Sequence, residues 1–262
     1  MKLFPAAVLL LLYGANAAAD SRAVEAATFD GGFNFQEVKS GGDPNNTAGA
    51  TGVFTFGLAS SLGASISGTA SHADIQADRS ATGSTAVATS IVSRSCGFSS
   101  GDLTAGLFLR NPSIGRIGVS YGAGQIRADC GDNAMFVVSD GHTLRTYNYA
   151  ANAEYYFSRL TIGADRTTTH LDGGNDITAD SLTASWYPLT ELRISPSIGR
   201  IDSNNSYSLQ LEGQPEFLGD AVGVVLGYSV QRQSPNIKSF SIGFVYHFGK
   251  PLELQTRDRE YR

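Results

Sequence analysis

Four histidines, two cysteines and a thin scatter of charges are the candidates for chemistry in this 262-residue chain. Ser71, His72 and Asp74 form its one local Ser/His/Asp grouping. A serine nucleophile needs its base within hydrogen-bond reach. Neighbours on a strand point to opposite faces, so Ser71 and His72 do not pair, and His72 reads as a rim histidine near an outer loop. His142 ends a loop, and His170 precedes Asp172 in what reads as a solvated loop. His247 sits among small residues with no carboxylate beside it in the sequence. A histidine-based hydrolase is therefore the reading with least support.

Cys96 and Cys130 make an even pair. In an exported chain such a pair predicts one disulfide. Neither belongs to a CxxC, and no His/Cys spacing suits zinc. No phosphate loop or cofactor fingerprint appears, so no cofactor is expected.

The composition sets the environment. The chain is 16% charged, well under the roughly 25% of soluble domains. The net charge of −5 argues against a nucleic-acid partner, which needs a basic face. Lys2 followed by an apolar run from Phe4 to Tyr13 and small residues to Ala19 reads as a secretory signal, residues 1–19, cut after Ala17 or Ala19. After it no apolar run is long enough for a membrane helix.

What recurs instead is period-two alternation, in segments of about ten to fourteen residues separated by turn residues. The clearest runs near 146–157. Tyr147, Tyr149, Ala151, Ala153, Tyr155 and Phe157 face one way, and Thr146, Asn148, Asn152 and Glu154 the other. The closing segment sets Phe240, Ile242, Phe244, Tyr246 and Phe248 against Ser239, Ser241, Gly243, Val245 and His247. About twelve such segments fill residues 20–249, with short connections mostly alternating with longer ones. One face is apolar and aromatic, with Tyr155, Tyr156, Phe157, Trp186 and Tyr187 clustered near segment ends, which suits a bilayer interface. The other face is Gly, Ser and Thr with a few charges. The fold class expected is all-β: a transmembrane antiparallel up-and-down barrel, since only a closed sheet satisfies its backbone in lipid. A soluble secreted β-protein is the alternative; it leaves the outward aromatics unexplained.

Ser241, Gly243, Tyr246 and Phe248 stand at the polar, glycine, aromatic and final aromatic positions of a short pattern. In this the closing segment resembles the assembly signal of bacterial outer-membrane β-barrel proteins. The resemblance implies the bacterial outer membrane as location, its lipid as surroundings, and insertion by the barrel-assembly machinery. The sequence departs from the pattern by continuing past Phe248.

On this parity the lumen receives Asp102, Arg110, Glu154, Asp165, Arg193 and Glu212. These charges either line a water-filled passage and set its ion preference or pair into a plug. The expected function is a porin-like channel for small polar solutes or ions. The alternatives are a closed structural or surface-contact barrel and the hydrolase. Residues 250–262 read as a loose, charged periplasmic tail; packed into the lumen, they would be a plug. A Cys96–Cys130 disulfide would pin loop 77–97 to loop 128–142.

Overall fold

The computed structural model describes residues 23–24, 26–39, 45–77, 94–129, 143–218, 221–233, 236–248 and 252–261. The expected signal segment, Cys130 and most of both cysteine-bearing loops lie outside them.

Among the described residues, the alternating segments form twelve antiparallel strands closed into one barrel. They are β1 (Thr28–Lys39), β2 (Asn45–Gly57), β3 (Leu62–Ala77), β4 (Arg94–Asn111), β5 (Gly115–Asp129) and β6 (Thr143–Tyr156). The second half is β7 (Leu160–Leu171), β8 (Ile177–Leu189), β9 (Leu192–Ile201), β10 (Asn204–Gly213), β11 (Val222–Gln231) and β12 (Ile237–Phe248). Each strand pairs with its chain neighbours, and β1 closes on β12 with Phe33 opposite Phe244 and Phe35 opposite Ile242. Closure removes the free edges that a strand cannot expose in a membrane.

The parity inferred from the sequence is the parity of the wall. Phe33 is 66% exposed, Leu103 64% and Val119 61%, all pointing away from the barrel axis. The inward positions carry small and polar residues. A soluble sheet would do the reverse; in lipid this arrangement satisfies both solvents. Among the described residues, Ala23, Val24 and Phe108 form a small buried apolar cluster.

Several details differ from the sequence reading. Residues 206–217 read as one strand by alternation, but β10 ends at Gly213 and a 3-10 turn occupies Glu216–Leu218. His170 lies within β7, not in a loop, and Cys96 lies within β4. Pro196 is accommodated inside β9: it pairs with Leu209 of β10, while the β8–β9 ladder runs from Thr183–Ser197 to Trp186–Ile194 without it. Proline has no N–H to give, and two ladder positions, those of Pro196 and Ser195, are lost while the strand survives. A register shift follows between Trp186 and Leu189.

The strands differ in reach. β3, β4 and β5 have 16, 18 and 15 residues. Spanning a bilayer takes about 9–11, so these three extend beyond the apolar band at the long-loop end.

Candidate functional site

The inward face is mostly small and polar, but its two ends are unlike. Towards the long loops Asp102 accepts a hydrogen bond from Thr69 and, at 3.3 Å, one from Thr104. Ser71 and Ser100 meet at 2.7 Å, and Ser229 and Ser239 at 2.7 Å, across neighbouring strands. Midway, Asp165 accepts from Thr167 at 3.2 Å and stands opposite Asn152 and Ser181. These three help to line a cavity of about 280 Å³ with Glu154, Arg193 and Gln210.

At the short-turn end the side chains are buried. Arg110 and Glu212 are each 1% exposed. Arg193 pairs with Glu212 and, at 2.7 Å, with Asp258 of the chain's end. Tyr187 donates to the same Asp258 carboxylate at 2.9 Å. Glu154 accepts from Tyr156 at 3.0 Å. Arg110 donates to the carbonyl of Ala23 at 3.3 Å. Phe108 lies flat beneath two guanidinium groups, Arg110 at 4.8 Å and Arg116 at 4.1 Å from its ring centre. Gly63 faces that ring at a separation that leaves no room for a Cβ. His247 meets Asp30 of β1 at 2.7 Å across the closing seam.

The residues after the last strand account for this burial, and they are not loose. Leu254–Thr256 form one helical turn that runs on into a wider turn at Arg257–Tyr261. Leu254, Arg257 and Tyr261 are buried. The segment is tied to the short turns: Leu254 N–H donates to Thr190, Gln255 to the Ser158 carbonyl at 2.6 Å, and Arg259 to the Phe157 and Leu160 carbonyls. Thr28 at the start of β1 donates to the Tyr261 carbonyl at 3.0 Å. The terminal segment therefore crosses the short-turn mouth, and Ala23–Val24 fill the gap beside Phe108. The reading of residues 250–262 as a loose tail is corrected for 252–261. Their charges bury because carboxylate, guanidinium and carbonyl partners await them.

The six lumen charges separate by height. Arg193 and Glu212 are brought together; Arg110 and Glu154 end at the same rim with other partners; Asp102 and Asp165 lie nearer the long-loop end. Sequence reasoning missed Asp258, Asp30 and Phe108. Asp30 is 217 residues from His247 and meets it only through barrel closure. Tyr156 and Tyr187 were grouped with the lipid-facing aromatics, but they are 5% and 3% exposed and point inward, whereas Tyr155, Phe157 and Trp186 point out. Strict parity from Glu154 and Ser185 would have assigned both.

Ser241, Gly243, Tyr246 and Phe248 all lie on β12, opposite Gln36, Asn34, Gly31 and Phe29 of β1. Tyr246 and Phe248 stack edge-on at 4.5 Å, and Phe29 joins Phe248 at 5.1 Å, in an outward aromatic belt at the short-turn rim.

A closed barrel, apolar outside, polar inside and girdled by aromatics, is the fold of the bacterial outer-membrane β-barrel proteins. Solved structures of that class share it. An outer-membrane channel from Pseudomonas putida F1 aligns with a TM-score of 0.59 at 10% identity, over 88% of this chain and 98% of that one. The β domain of the Bordetella autotransporter BrkA aligns at 0.55 and 9% identity, over 85% and 99%. The KdgM porin aligns at 0.51 and 8% identity, over 83% and 99%. At these identities the likeness is one of fold. No family model matches the sequence, and no curated protein does either.

Proposed function

We propose that this protein is a porin-like channel of the bacterial outer membrane for small polar solutes or ions, closed at its short-turn mouth by its own terminal segments. One observation carries the reading: the closed barrel turns a face mostly of Gly, Ser and Thr with a few charges inward, and on that face β6 to β10 line a cavity of about 280 Å³ with Asn152, Asp165, Arg193 and Gln210. A barrel that served only as a wall would not need a hydrated interior. Asp102 and Asp165 stand above the closure and would favour cations entering from the loop side. Residues 1–19 would direct export, and the Ser241–Phe248 pattern would engage the assembly machinery.

The buried terminal segment favours a second reading, a permanently closed barrel. Planar-bilayer recording separates the two. The channel reading expects discrete openings from the folded full chain, and a larger open fraction when Asp258→Ala weakens the closure. A folded barrel that gives no openings in either form supports the closed barrel and removes the channel.

A further inference from the structure

The outward surface holds a second arrangement, apart from the lumen. His72 Nδ1 lies 2.9 Å from Ser99 Oγ, a serine of the neighbouring strand and not the adjacent Ser71. His72 Nε2 lies 3.4 Å from Asp74 Oδ1. Ser71 turns inward to Ser100. The register explains the assembly. His72 and Asp74 are two apart on β3, so they share a face, and Ser99 is the direct partner of His72 on β4. The next residue in that row is Arg127 of β5, exposed on the same face.

Position along the barrel matters as much as geometry. The outward row Gly68, Leu103, Ala123, Tyr147 is the last of the apolar band over these four strands. Beyond it comes Ala70, Gly101, Gln125, Arg145, and beyond that His72, Ser99, Arg127, Thr143. Leu103, Ala123, Arg145 and Tyr147 of these rows border an open space of about 640 Å³ that inward-facing Thr69, Asp102 and Gly124 border as well. Along β4 the register therefore leads from the last apolar row, at Leu103, through Gly101 to Ser99.

We propose that Ser99, His72 and Asp74 form a serine-hydrolase site for an acyl ester of a phosphate-bearing lipid at the loop-side surface of the membrane. His72 with its proton on Nε2 donates to Asp74, leaving Nδ1 to accept from Ser99. Ser99 Oγ attacks the ester carbonyl while its proton passes to His72 Nδ1. The tetrahedral oxyanion forms near the Arg127 cation. On collapse the bond from carbonyl carbon to the alcohol oxygen breaks, and that oxygen takes the proton from His72. Water then adds to the acyl-serine, gives its proton to His72, and displaces Ser99 Oγ, which takes the proton back. The sum is ester plus water to fatty acid plus alcohol, with no redox partner. Acyl chains would rise from the apolar band past Leu103 and Tyr147, and Arg145 offers a cation to the phosphate. His72 and Asp74 are exposed, with side chains 56% and 69% accessible, so lipid packed over them supplies the dehydration that strengthens the contacts.

The test uses the full-length folded barrel with phosphatidylglycerol in mixed detergent micelles, heat-modifiable migration verifying the fold of every variant. Wild type is expected to release fatty acid. Ser99→Ala and His72→Ala should lower release about 100-fold or more, and Ser71→Ala should leave it unchanged. Asp74 is a positioning residue: Asp74→Ala should slow release, and Asp74→Glu should restore part of it. A fluorophosphonate should modify wild type, with the adduct mapped to Ser99 by peptide mass, which needs no variant. No release from folded wild type, release that survives Ser99→Ala, or an adduct elsewhere would each overturn the proposal. None of these outcomes bears on conduction through the lumen.

Discussion

At the scale of single residues, the short-turn mouth is held by few but buried contacts. Asp258 joins Arg193 and Tyr187, and Arg193 returns to Glu212. A hydrogen bond to a charged group contributes about 1.5–3 kcal/mol, so Asp258→Ala should free the terminal segment. Trypsin is then expected to cut after Arg257 or Arg259 at least about tenfold faster than in wild type, with the barrel itself resistant. Equal cleavage rates would show that the carboxylate does not hold the segment. At the seam, Asp30→Ala leaves His247 buried without its acceptor. We expect a loss of about 1–3 kcal/mol, read as a lower urea midpoint for the barrel's heat-modifiable form. The sequence showed the types of these residues and the face of most. It did not show their partners, because Asp30 with His247 and Arg193 with Asp258 meet only after closure, 217 and 65 residues apart.

At the scale of the strand, alternation and lipid do the specifying. Phe33 is mid-strand on β1, 66% exposed and paired with Phe244 and Ala50. Phe33→Arg should destabilise the barrel by about 2–4 kcal/mol, the cost of a cation on the lipid face near midplane, measured as a shifted urea midpoint in vesicles. An unchanged midpoint would contradict a lipid-facing β1. The disulfide belongs here too. The β4–β5 ladder ends at Gly97 opposite Asp129, the chain neighbours of Cys96 and Cys130. We propose the bond on that count. Exported protein should have an intact mass lower by two hydrogens than its reduced form, and equal masses would remove it. Strand count and parity were legible because period two is unambiguous where one face meets lipid. Rim details were not: Tyr156 and Tyr187 follow the parity of their strands, but aromatic type alone suggested the belt. Ser99 escaped notice because a cross-strand partner depends on register, and neighbours in sequence drew attention to Ser71.

For the whole molecule, the two termini and the lumen form one system. The wall is a polar-lined barrel, with Asp102 and Asp165 on the long-loop side of the buried terminal segment. The far end is filled by Ala23–Val24, Phe108 and the buried turn from Leu254 to Tyr261. The terminal residues lie downstream of the last strand, so removing them leaves all twelve strand pairings intact. The most direct test is single-channel recording of the folded chain with and without residues 252–262. Rare, brief openings are expected from the full chain and sustained, larger conductance from the truncated one. A folded, truncated barrel that stays electrically silent would contradict this expectation.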